Sequence, residues 1–234
     1  QSQRVWLVDP AHGTKQPMRQ IHPAGIFEAI CPLREDNVTN YQFRVRNDRG
    51  EMMTMHDPYR FKPLLSDYDV HLLSEGTHWR SYERLGAQLR TVDGVTGVNF
   101  AVWAPNASTV SVVGNFNNWD SRRHVMQRLI PSGFYELFIP DIGPGEIYKF
   151  HIRNGLQAME KSDPYGFYAE LPPRTASVVA DLTRYEWNDH EWMENRMKAN
   201  PLSQPMSVYE VHLGSWKKDW SRDSGWLNYR DLAH

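Results

Sequence analysis

Apolar and polar residues alternate with a period of two in several short runs. Tyr148, Phe150 and Ile152 are interleaved with Lys149, His151 and Arg153. Tyr41, Phe43 and Val45 are interleaved with Gln42, Arg44 and Arg46 in the same way. That spacing predicts half-buried β-strands, because successive side chains of a strand point to opposite faces. The two runs belong to a longer pattern that occurs twice, about a hundred residues apart. The first copy reads Val5-Trp6-Leu7-Val8, then Gly25 to Pro32, Tyr41 to Asn47 and Asp57-Pro58-Tyr59-Arg60-Phe61. The second reads Val110-Ser111-Val112-Val113, then Gly133 to Pro140, Tyr148 to Asn154 and Asp163-Pro164-Tyr165-Gly166-Phe167. Conserved order and spacing of four blocks imply duplication of one domain type. Asn47-Asp48-Arg49-Gly50 and Asn154-Gly155 supply residues that accept positive φ in turns. Pro32 and Pro140 are placed to end strands, since proline removes a ladder donor. Short strands at these intervals predict β-sandwiches. The recurrence of Asp-Pro-Tyr in both copies marks it as a structural turn rather than a catalytic motif.

The copies differ in two places. Val98 to Pro105 adds a strand ahead of the second copy and has no counterpart in the first, so the chain is expected to open inside a domain. The second copy carries Gly114-Asn115-Phe116-Asn117-Asn118-Trp119-Asp120, where the first has Asp9-Pro10-Ala11-His12-Gly13-Thr14, without an aromatic. Between the copies, Ser66-Asp67-Tyr68-Asp69 predicts a capped helix start and Gly76 its stop. Asn188-Asp189-His190-Glu191 predicts a second cap, for a helix with Trp192, Met193 and Met197 on one side. Pro201 and Pro205 mark a linker. Met206 to Leu213 predicts a strand, Gly214-Ser215-Trp216 leaves it, and Asn228 caps a helix through Leu232. A lone strand and part of a helix close no core, so the chain is expected to end inside a domain too. The boundaries are 1–61 for the first copy, 62–90 for a helical joint, 91–181 for the second copy, 182–205 for a short helix and linker, and 206–234 for the last segment.

Composition narrows the function classes. The chain has 234 residues, 40% hydrophobic and 23% charged, with a formal net charge of -2. That describes a globular protein, and the charge does not suggest nucleic acid as a partner. No apolar run approaches a membrane span, and no signal peptide opens the chain. The single cysteine, Cys31, excludes an internal disulfide and points to a reducing, cytoplasmic setting; it reads as a buried structural thiol. No Cys/His spacing resembles a zinc site, and no metal or other cofactor is expected. Nine tryptophans are the unusual feature, since an indole face suits both a sugar ring and a packed seam.

Gly97 to Ala107, Gly114 to Trp119 and Tyr148-Lys149-Phe150 together resemble the sandwich module that precedes amylase-type barrels in branching enzymes, debranching enzymes and trehalohydrolases. The module is also similar to the glycogen-binding subunit of a metabolic kinase. Two strings are more specific. Leu72 to His78, with Tyr82-Glu83 and Leu85-Gly86-Ala87, resembles the joint before that module in bacterial glycogen branching enzymes. Val208 to Trp216 resembles their first barrel strand. The resemblance implies a mainly β fold: tandem immunoglobulin-like β-sandwiches, followed by the first strand and helix start of a truncated (β/α)8 barrel. It implies a parent enzyme that cuts an α-1,4-glucan chain and transfers it to a 6-hydroxyl, using two carboxylic side chains from later barrel strands. No acidic residue of this chain takes those roles, so no catalytic residue is expected here. The partners implied are α-glucans (glycogen, amylose, malto-oligosaccharides) and the rest of the catalytic domain. A debranching or trehalohydrolase fragment, or a stand-alone glycogen-binding protein, is the alternative. The doubled sandwich and the Leu-Gly-Ser-Trp string favour branching, and a binding module has no use for a barrel strand.

In the resembling modules, a tryptophan at the position of Trp119 stacks on glucose and a lysine at the position of Lys149 contacts sugar hydroxyls. Asn118 is a further hydrogen-bonding candidate. Two readings of Trp119 stay open, sugar stacking and packing on a neighbouring domain, and Lys149 also suits a solvated strand face. The family's second stacking aromatic falls in the turn after Asn154, where this chain has Leu156-Gln157. Trp103 reads as core or seam ahead of ligand contact. Trp216 faces either substrate or the preceding sandwich, and His212 reads as structural.

Overall fold

The computed structural model describes residues 2–31, 40–47 and 49–233. They form two compact units, residues 1–184 and 185–234.

The second repeat copy is a two-layer sandwich. Its strands are β7 to β9 (Gly86–Val92, Val95–Trp103, Thr109–Gly114), β10 (Gln127–Leu129), β11 (Phe134–Pro140), β12 (Ile147–Asn154) and β13 to β15 (Gln157–Lys161, Tyr168–Ala169, Ser177–Val178). One sheet runs β10-β11-β8-β7; in the other, β12 pairs with β9 on one edge and with β13 and β15 on the other, and β14 pairs with β15. Alternate residues fill the space between: Val98, Phe100 and Val102 from β8, Tyr135, Leu137 and Ile139 from β11, Val110 and Val112 from β9, and Tyr148 and Phe150 from β12. Full burial of each such side chain is worth about 1.5–3 kcal/mol, so this cluster dominates the stability of the module. Strand β11 ends at Pro140 as expected, and Asp141 follows with φ 62°.

All seven residues of β11 are buried, which simple alternation does not predict. Its outer face is covered by the joint between the copies, where Leu65 and Leu85 pack on Ala101 and Phe134. A strand buried on both faces reads as a continuous apolar run. Within the joint, helix α1 (Asp67–Glu75) starts on the predicted Ser66 cap. The Ser66 hydroxyl accepts from the Asp69 N–H and the Asp69 carboxylate accepts from the Ser66 N–H. It stops at Gly76, whose φ of 75° suits glycine. Asp69 also holds His78 at 3.1 Å and Arg84 at 3.0 Å. Burial pushes the Asp69 carboxyl up, but Ser66, His78 and Arg84 outweigh it and hold it at about 2. Glu136 on β11 is 1% exposed and accepts from the Leu64 and Leu65 N–H groups and from Asn99 Nδ2.

The first copy has strands β1 (Ser2–Asp9), β2 (Thr14–Pro17), β3 (Arg19–His22), β4 (Ile26–Glu28), β5 (Gln42–Asn47) and β6 (Met52–His56). A four-stranded sheet runs β2-β1-β5-β6, and β3-β4 is a separate hairpin. This differs from the sandwich expected for 1–61: among the described residues up to His56, no side chain is buried. Among the described residues of this copy, neither sheet encloses a buried core. It docks on the second copy, within the same unit, through His56 Nδ1 to Asp141 Oδ2 at 2.8 Å. The Tyr59 hydroxyl adds two bonds, accepting from the Val125 N–H at 3.0 Å and donating to the Arg123 carbonyl at 3.3 Å. Phe61 packs edge-on against Phe138 at 4.7 Å. Cys31 is exposed, not buried, with its thiol 3.3 Å from Gln16 Oε1, since no described element packs over it. Pro32 and Asp48 lie outside the described residues.

The Asp-Pro-Tyr segments are structural turns in both copies. Asp57 and Asp163 each accept from the N–H two residues on, at 2.9 and 2.8 Å.

In the second unit, α2 spans His190–Lys198, α3 Leu213–Trp216 and α4 Tyr229–Leu232. Asp189 stands at the N-cap of α2 without a side-chain cap bond, whereas Asn228 caps α4 by accepting from the Asp231 N–H. The strand expected from Met206 to Leu213 does not form: residues 206–212 have no regular secondary structure, and Leu213 begins α3. A strand needs a partner to take its N–H and C=O groups, and this segment pairs with none among the described residues. No helix among the described residues is long and apolar enough to cross a membrane.

Candidate functional site

The turn between β9 and β10 begins at Gly114, paired with Tyr148 on β12. A Cβ at Gly114 would collide with the Ile147 carbonyl oxygen and the Phe116 ring, so the close strand approach requires glycine. Phe116 turns inward and stacks on Phe100. Asn117 is fully buried and satisfied on both ends of its amide. Its Oδ1 accepts from the Gly114 N–H at 3.0 Å, and its Nδ2 donates to the Val112 carbonyl and to His124 Nδ1 at 2.8 and 2.9 Å. Burial, then Arg123, pushes the His124 imidazole down to about 4, which keeps it neutral and able to accept that bond.

On this base the chain takes two consecutive left-handed steps, Asn118 at φ 55° and Trp119 at φ 58°. Asparagine tolerates that region; for a bulky tryptophan it is an outlier, costing on the order of 1–3 kcal/mol and held by its surroundings. The holding bonds run from the Trp119 N–H to the Gly114 carbonyl and from Trp119 Nε1 to Asn115 Oδ1, both 2.9 Å. The indole is therefore fixed in direction yet 37% exposed. It is not core.

Lys149 is half-buried on the face of β12 opposite Tyr148 and Phe150. The register sets it across from Val113, the residue before Gly114. The backbone thus brings Lys149, Asn118 and Trp119 to one end of the sheet, and Asn118 is exposed there. Leu156 sits at the tip of the β12–β13 hairpin, fully exposed, at the other end of β12. Trp216 belongs to the second unit. It is 58% exposed and meets Tyr209 edge-on at 5.8 Å. His212 Nδ1 lies 2.8 Å from Ser215 Oγ at the start of α3, a structural contact.

Of the two packing readings of Trp103, core or seam, its 59% exposure removes the core one. The signal was present in the pattern: Val98, Phe100 and Val102 point inward, so Trp103 has the opposite parity.

Residues 1–59 match the family model for the alpha-1,4-glucan branching enzyme GlgB N-terminal domain, and residues 84–166 match carbohydrate-binding module 48 (isoamylase N-terminal domain). The chain is 49% identical to the 1,4-alpha-glucan branching enzyme GlgB of Rhodopirellula baltica over 99% of its own length and 32% of that protein. It is 52% identical to the enzyme of the same name from Thermosynechococcus vestitus over 92% of its length and 28% of that protein. The chain thus spans about a third of the length of these relatives. A pullulanase from Anoxybacillus sp. LM18-11 superposes with a TM-score of 0.38 at 17% identity, covering 79% of this chain and 25% of that one. The resemblance to branching enzymes read from the sequence strings holds across nearly the whole chain.

Proposed function

We propose that this chain is the N-terminal portion of a 1,4-α-glucan branching enzyme, and that its second sandwich holds α-glucan while transfer takes place elsewhere in the whole protein. The parent reaction cuts an α-1,4 chain and rejoins it to a 6-hydroxyl, in glycogen, amylose or malto-oligosaccharide. The chain divides into a first repeat copy (1–61), a joint (62–90), the glucan-holding module (91–181), a linker (182–205) and the opening segment of the catalytic barrel (206–234). In that last segment the first strand forms only beside its neighbours, and Trp216 turns toward substrate there. The cytoplasmic setting expected from the single cysteine accords with this reading.

The observation that carries glucan binding is Trp119: a rigid, part-exposed indole on a strained polar turn, beside Asn118 and Lys149. A flat apolar face stacks on the C–H face of a pyranose, and the amide and ammonium donate to its hydroxyls. With Leu156 where the family has a second aromatic, a single platform is expected to bind at around millimolar Kd, about 4 kcal/mol. Calorimetric titration with maltoheptaose tests this. Trp119→Ala removes most of the binding without loss of fold, and Lys149→Ala and Asn118→Ala weaken it less. Unchanged binding together with a destabilised protein would make Trp119 a packing residue.

The reading also requires that the chain alone be inactive, because no acid in it takes the catalytic roles. Incubation with amylose, followed by iodine staining and reducing ends, is expected to show no α-1,6 branches. Their appearance would overturn the assignment of catalysis to the rest of the protein.

A further inference from the structure

At the end of β12 remote from Lys149, a cleft of about 300 Å³ opens between the loop leaving β8 and the β12–β13 hairpin. Trp103, Asn106, Ile152, Asn154, Gln157 and Met159 line it. We infer that this cleft is a second α-glucan site on the module, with Trp103 as its platform.

Three observations support this. First, the hairpin register pairs Ile152 with Met159 and Asn154 with Gln157. Residues two apart share a strand face, so an apolar pair lies next to a pair of amides on one wall. Second, Trp103 Nε1 lies 3.3 Å from the Ser132 carbonyl, which holds the indole by its edge, and the residue stays 59% exposed. Third, no charged side chain lines the cleft. An anion or cation finds no counter-charge there, whereas a neutral polyhydroxyl ligand finds an apolar face and side-chain amides that both donate and accept. The volume lies at the lower end of small-ligand clefts, roughly 300–1,000 Å³, so a short stretch of a longer chain fits rather than a whole oligosaccharide. That the sugar is an α-glucan rests on the function proposed above; the cleft itself is separate from the Trp119 turn, at the opposite end of the β9–β12 ladder.

The test uses the whole 234-residue chain and maltoheptaose, read by the indole N–H resonances in two-dimensional NMR. On a Trp119→Ala background, the Trp103 signal, assigned by its loss in a Trp103 variant, is expected to keep shifting with maltoheptaose. Adding Trp103→Ala is expected to raise the residual Kd about tenfold or more, while Trp103→Phe keeps it within about twofold. Thermal melts check that each variant is folded. If Trp103→Ala is not, the Asn154→Ala/Gln157→Ala pair asks the same question with the platform intact. A Trp103 signal unmoved at saturation, or a Kd indifferent to both substitutions, overturns the inference. An equal response to cellohexaose overturns the α-glucan assignment of the cleft. A wild-type chain that binds no maltoheptaose overturns the proposed function and this inference with it; one that binds through Trp119 alone overturns only this inference.

Discussion

In the first repeat copy the Tyr41 hydroxyl donates to Asp57 Oδ2 at 2.7 Å; in the second, Tyr148 donates to Asp163 Oδ2 at 2.6 Å. The partner oxygen of each aspartate accepts from the N–H of Tyr59 or Tyr165. The same strand-to-turn latch is thus built twice. Its surroundings differ. Tyr148 is fully buried and Asp163 nearly so, whereas Tyr41 and Asp57 are part-exposed. Burial pushes both phenols well up, so each stays a donor, and burial raises Asp163 against the hydrogen bonds from Tyr148 and the Tyr165 N–H. The latch is scaffold, and duplication preserved it as such. What diverged is the turn after the first shared strand. In the first copy Asp9 caps it, accepting from the Ala11 N–H at 2.9 Å and meeting His12 at 2.8 Å. In the second it became the anchored Trp119 turn.

The largest effect expected from this contrast is at the buried latch. Asp163→Ala strands the Tyr148 hydroxyl and the Tyr165 N–H inside the sandwich and should cost about 3 kcal/mol or more in urea unfolding. Asp57→Ala exposes its partners to water and should cost about 1 kcal/mol. Equal costs would break the claim that only the second copy is closed around its latch. Next, Gly114→Ala should destabilise by about 2 kcal/mol, since backbone must shift to admit a methyl group; Asp9→Ala, at the matching turn, should stay within about 1 kcal/mol. The smallest effect is a titration. The His124 ring is depressed to about 4 from 6.5 by burial. Its contribution is fully present above pH 6.5 and is lost as pH falls toward 4, because the unfolded ring protonates first. The Trp119 indole resonance of the folded wild type should follow the ring's own titration near pH 4 and lose that dependence in His124→Gln.

Much of this was legible where a local rule and the tertiary context agree. The Ser66–Asp69 cap and the Gly76 stop appear in sequence because capping satisfies orphan N–H and C=O groups within one turn of chain. The sandwich strands appear because Val98, Phe100 and Val102, or Tyr148 and Phe150, alternate. The failures share a cause. Whether Cys31 is covered and whether 206–213 pairs as a strand both depend on a second element packing against the first, and one segment's pattern does not reveal that element. Trp103 was different. Its parity was readable and spoke against the core half of the core-or-seam reading, but the weight of an aromatic on a strand kept core in it. At the candidate site, Trp119 and Asn118 were found as an aromatic in a polar turn, while the roles of Asn117 and His124 beneath them were not, because a buried asparagine looks like any other in an Asn-rich string.

Glu136 attaches the joint to the sandwich by gripping main-chain N–H groups, those of Leu64 and Leu65. Such a clamp is indifferent to which side chains stand at those two positions and sensitive to how many residues separate them from Phe61. The side-chain identities of the joint are thereby free to drift over evolutionary time, provided its length does not. A one-residue insertion between Phe61 and Leu64 would slip both donors off the carboxylate and leave the buried Glu136 to Asn99 alone, where substitutions at the exposed positions of α1 would pass unnoticed.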